Sequence, residues 1–68
     1  MSELVVAILL WLGVMQAPSA YTTAQYQTYS IQNAGVIQAT LSDEQASAYV
    51  WQTTGALVSE VRIIDPLE

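Results

Sequence analysis

Residues 21–41 read Y-T-T-A-Q-Y-Q-T-Y-S-I-Q-N-A-G-V-I-Q-A-T-L, from Tyr21 to Leu41, and the reading of this stretch decides the fold. Its Tyr, Thr, Ile and Val fit a pleated, half-buried surface. Asn33-Ala34-Gly35 has turn chemistry, because Asn bonds its own backbone and Gly supplies the positive φ of a short hairpin loop. The flanks alternate. Tyr29 and Ile31 share one face of the first strand, and Ile37, Ala39 and Leu41 share one face of the second. Tyr26, Thr28, Ser30, Val36, Gln38 and Thr40 fall on the other face. The expectation is an antiparallel β-hairpin. The competing reading is a helix starting at Pro18 and ending at Asn33 with Gly35 beyond it. The β-branched and aromatic content favours the hairpin.

Downstream, Ser42-Asp43-Glu44-Gln45 marks a helix start. Ser42 serves as the cap, Gln45 as its capping-box partner, and Asp43 and Glu44 sit at the positive end of the helix dipole. Ala46, Tyr49, Val50 and Thr53 follow at helical spacing. Thr53-Thr54-Gly55 ends the helix, with Gly55 in the left-handed position. Ala56 to Ile64 then reads as a strand, with Leu57, Val61 and Ile63 on one face and Asp65-Pro66 as its stop. A helix crossover permits this strand to lie parallel to Val36–Leu41. The pattern Tyr29-x-x-Gln32-x-x-Gly35 recurs as Tyr49-x-x-Gln52-x-x-Gly55, but two copies are too few to define a repeat.

Upstream lies Leu4 to Met15, L-V-V-A-I-L-L-W-L-G-V-M, in which every residue is apolar or Gly. As a helix it spans about 18 Å, short of the roughly 30 Å hydrocarbon core of a bilayer. Extension to Tyr21 meets Pro18. A run of this length reads first as a core or subunit-contact helix. The alternatives are a membrane anchor over Leu4–Tyr21, a signal-peptide core before Ala17-Pro18-Ser19-Ala20, and a buried strand. The acidic start Met1-Ser2-Glu3 disfavours both the anchor and the signal peptide. Any helix here should stop by about Ala17. The Leu67-Glu68 ending reads equally as native sequence or as a cloning scar.

The expected fold is therefore α+β and ββαβ-like, a small antiparallel hairpin plus one helix and a C-terminal strand. An apolar N-terminal segment, residues 1–17, packs on the sheet or on a neighbouring subunit, and residues 18–68 form the module itself. The expected core is Ile31, Ile37, Ala39, Leu41, Ala46, Tyr49, Val50, Leu57, Val61 and Ile63. That is thin for independent stability.

Composition bounds the chemistry. The 68 residues contain six acids against one base, Arg62, with no Cys and no His, for a net charge of -5. Zinc sites, disulfides and Cys- or His-based nucleophiles are excluded, and no other metal or cofactor motif is present. One cation cannot neutralise a phosphate backbone, so nucleic acid is not an expected partner. Six acids are also too sparse for DNA mimicry. Asp43 and Glu44 are explained by the helix dipole. Glu60 and Arg62 share a strand face as an exposed ion pair worth under about 1 kcal/mol. No catalytic residue is assigned. Charged residues make up only 10% of the chain, against about 25% in ordinary domains, so the surface suits packing inside an assembly. Trp11, Tyr21, Tyr26, Tyr29, Trp51 and Arg62 are the candidate interface residues, since Tyr, Trp and Arg are enriched at interfaces.

The expected function is a non-enzymatic assembly or interaction protein. It would self-associate or serve as a small subunit of a larger complex, such as a virion or another phage-encoded assembly. The alternatives are a membrane-anchored small subunit with an acidic soluble part, and a soluble inhibitor of a host protein.

Overall fold

The structure, a computed structural model, describes residues 2–65. Met1, Pro66 and the Leu67-Glu68 ending lie outside the described residues. The apolar run supplies the centre of the molecule. Helix α1 spans Glu3–Trp11, with the Ser2 hydroxyl accepting from the Val5 amide at its start. Val6, Ala7, Ile8 and Leu9 are consecutive and all buried. The middle turn is buried all round and Leu4, Val5 and Leu10 beside it are half-buried, so the run needs no polar face and shows no periodicity. Gly13, at φ +79°, ends it. The Gly13 amide donates to the Leu10 carbonyl and the Val14 amide to the Leu9 carbonyl, each at 3.0 Å. These two bonds make a Schellman turn, which folds Met15 back into the core. Burial of Val6, Ile8, Leu9 and Met15 contributes about 1.5–3 kcal/mol each.

The chain then passes Pro18, whose peptide bond with Ala17 is cis, into the short strand β1, Ser19–Thr22. Helix α2, Thr23–Gln32, starts in a full capping box. The Thr22 hydroxyl accepts from the Gln25 amide at 3.0 Å, and the Gln25 side chain accepts from the Thr22 amide at 2.8 Å. Helix α3, Ala34–Leu41, follows after Asn33 alone. Helix α4, Glu44–Val58, leads into the strand β2, Val61–Ile64. β2 pairs with β1 in parallel, Ser19 opposite Val61 and Thr22 opposite Ile64. The three helices α2 to α4 form the crossover that a parallel pair requires. Among the described residues, no helix is long and apolar enough to cross a membrane.

The fold is thus α+β, but the antiparallel hairpin does not form. Residues 23–41 are two helices, because the capping box at Thr22 opens α2 and Gly35 stays out of the positive-φ region that a hairpin loop needs. Asn33 is a helix junction whose side-chain amide donates to the Tyr29 carbonyl at 2.8 Å. The crossover partner of the last strand is β1, not Val36–Leu41. That strand is Val61–Ile64 rather than Ala56–Ile64, since α4 runs through Gly55 to Val58. Its cap is Asp43, whose Oδ1 accepts from the Gln45 and Ala46 amides, while the Ser42 hydroxyl donates backwards to the Gln38 carbonyl. The second copy of the Tyr-x-x-Gln-x-x-Gly pattern lies within α4, whereas the first spans the junction of α2 and α3 at Asn33. Of the expected core, Ile37 and Val50 are buried, and Ala46, Val61 and Ile63 are half-buried. Ile31, Ala39, Leu41, Tyr49 and Leu57 are exposed: all but Tyr49 were assigned to inward strand faces, and as helix positions they turn away from the cluster around α1.

α1 and α4 run antiparallel. Trp11 meets Tyr49, and the Thr54 hydroxyl lies 3.0 Å from the Ala7 carbonyl and 2.8 Å from the Val50 carbonyl. Its single proton is shared between two acceptors at the helix crossing, where Ala7 presents no side chain beyond Cβ. The Ser47 hydroxyl donates to the Thr40 carbonyl at 2.6 Å and ties α3 to α4.

Candidate interaction surface

The five aromatic residues singled out in the sequence separate into three groups, and Arg62 stands apart from them. Tyr21, Tyr26 and Tyr29 are half-buried against the core. The rings of Tyr21 and Tyr29 meet edge to face at 5.9 Å and 82°, a geometry aromatic quadrupoles favour. The Tyr21 hydroxyl also accepts from the Gln16 amide at 2.8 Å. This pair fixes β1 against α2 and holds the loop before it. Tyr26 faces a shallow cleft of about 350 Å³ with Thr23, Gln27 and Ile63. Arg62 is exposed on β2, opposite Ala20 on β1.

Trp11 forms the second group with a residue that the sequence had suggested for the core, Tyr49. Their rings meet edge to face at 6.3 Å and 88°. Trp11 is nevertheless 45% exposed and Tyr49 58% exposed. Thr53 and Leu57 continue from Tyr49 in steps of four along α4, and both are exposed. Side chains at that spacing line one face of a helix. The Thr53 hydroxyl donates to the Tyr49 carbonyl at 2.7 Å, so it is already occupied by its own helix. The result is an uncharged stripe, Trp11–Tyr49–Thr53–Leu57, along the seam of α1 and α4.

Trp51 stands alone on the other flank of α4, 43% exposed. A methyl group placed on Gly55 would lie 2.8 Å from both atoms of the fused indole bond, Cδ2 and Cε2. Equal approach to those two interior atoms puts Gly55 under a ring face rather than a ring edge. The indole is therefore seated on the helix.

Tyr49 was missed because helical spacing places it beside Val50, on the margin of the buried face, and Leu57 because it was assigned to the last strand rather than to α4. Only the position of α1 decides which margin is covered. Among the described residues, no three Asp or Glu side chains come together as a metal site. The chain matches no protein-family model, no curated protein and no solved structure.

Proposed function

We propose that this chain is a non-enzymatic interaction protein that assembles with a second copy of itself through the Trp11–Tyr49–Thr53–Leu57 stripe. The observation that carries this reading is the Trp11–Tyr49 pair, two rings packed on each other yet left about half in solvent. Aromatic side chains of this kind dominate interface energetics. The four residues of the stripe carry no charge, so the contact they make is not itself opposed by like charges. A standard interface takes about 800 Å² from each partner. The whole accessible surface is 4505 Å², so the contact must extend along α4 beyond the aromatic pair.

Light-scattering mass after size exclusion tests the reading on the full-length chain without detergent. A dimer or other defined oligomer is expected, tightening as salt rises from about 0.05 to 0.5 M because screening shortens the reach of the net negative charge. Tyr49→Gln with Leu57→Gln should give the monomer mass while far-UV circular dichroism is unchanged, since both side chains are already exposed. A 7.4 kDa wild-type monomer at every concentration overturns the proposal and leaves a heteromeric partner. Recovery only in detergent overturns it in favour of the anchored subunit.

A further inference from the structure

On the flank away from the Trp11–Tyr49 stripe, the start of α1, the end of α4 and β2 enclose a cleft of about 410 Å³. That volume falls in the range of about 300–1,000 Å³ typical of small-molecule sites. Its surface has three parts. Val6, Val58, Val61 and Ile63 supply the apolar lining, Trp51 seated on Gly55 the aromatic one, and Glu3 and Ser59 the polar one. With one indole face covered by Gly55, the exposure of Trp51 belongs to the remaining ring surface, on the side of the cleft and solvent. Glu3 is the sole charged residue of the lining. Strand alternation explains why the cation stays out. Val61 and Ile63 are half-buried toward the cleft, while Arg62 between them is exposed.

We propose that this cleft is a binding site for an organic cation with a short apolar body, an alkylammonium or guanidinium group. The apolar stem would lie on the valines, and the cationic head would sit between the indole and the Glu3 carboxylate. An indole attracts a cation through its ring quadrupole. The carboxylate adds a charge of the right sign, and the net charge of -5 raises the local concentration of cations. The head group could arrive as a free small molecule or as the side chain of a basic peptide, and the chemistry is shared. The inference is independent of self-association, because it uses the opposite flank of α4.

The test is a titration of the full-length protein followed through its two indole N–H signals by nuclear magnetic resonance, with Trp51→Phe supplying the assignment. The probes are choline, its neutral isostere 3,3-dimethylbutan-1-ol, and a blocked Ala-Arg-Ala peptide. The expected result is a saturable shift of the Trp51 signal with choline, while Trp11 stays in place. The neutral isostere should bind about 3- to 5-fold more weakly, the factor expected for a solvent-exposed cation–aromatic contact. Glu3→Gln should weaken choline by a similar factor, about 2- to 5-fold, and leave the isostere unaffected. Saturation by the peptide but not by choline supports the same chemistry and assigns its source to a protein partner. Equal affinity for choline and the isostere, indifference to Glu3→Gln, or no saturable shift with choline or the peptide would overturn the proposal.

Discussion

Gly13 and Gly35 both face open space, so a methyl group added to either would touch nothing within 4 Å. Their backbones differ. Gly13 holds φ at +79° to close α1, whereas Gly35 lies in the first turn of α3 with no positive φ. Because sterics are absent at both, conformation alone sets the sign of substitution. Gly13→Ala should lower stability by about 1–2 kcal/mol, the cost of forcing an L-residue into the left-handed region. Gly35→Ala should raise it by about 0.4–1 kcal/mol by restricting the unfolded chain. Urea midpoints at constant slope measure both, and a shared sign would refute this account. Gly13 was legible as a helix stop in retrospect, lying one residue past Leu12 with a hydrophobic residue after it. Inside an unbroken apolar run, however, a glycine looks like one more uncharged residue, and attention falls on Pro18 instead.

At the level of elements, the helix starts carry more information than the strand-like composition does. α2 is rich in Tyr, Thr and Gln, and its half-buried positions Thr23, Tyr26, Tyr29 and Ser30 recur at helical spacing. That stripe is polar, so a search for apolar periodicity passes over it and the alternation of Tyr and Ile stands out. Thr22-x-x-Gln25 was the readable signal, the same pattern as Ser42-x-x-Gln45 twenty residues on. Of the two, only the first forms a reciprocal capping box. At α4 the carboxylate of Asp43 outcompetes the Ser42 hydroxyl for the free amides, because an ionised acceptor bonds them more strongly. Asp43→Ala should therefore cost about 0.5–2 kcal/mol. Ser42→Ala, which removes one exposed bond to the Gln38 carbonyl, should stay within about 0.5 kcal/mol. Thermal melts of the two variants check this, and equal losses would return the cap to Ser42.

Across the whole molecule, stability is distributed unevenly. The α1–α4 pair holds Val6 to Leu9 and Val50 in one buried cluster, with Ile37 and Met15 closing it. The sheet has two strands of four residues each, and two strands alone are marginal in water. Its pairing also waits on closure of the chain from residue 23 to residue 60, an entropic cost that local helix contacts do not carry. This division was only half legible in the sequence. The apolar run announced a buried element by its length, but nothing in residues 19–22 or 61–64 named the other as its partner, because short strands pair by tertiary context. Native-state hydrogen exchange reads the division directly. The amides of Ile8, Leu9, Val50 and Thr54 should exchange only through global unfolding. Those of β1 and β2 should exchange at least about ten times faster, through an opening that leaves the helices intact. If the strand amides were as protected as Leu9, the sheet would belong to the same cooperative unit as the α1–α4 core, and the lining of the Trp51 cleft at Val61 would be as rigid as its lining on α4.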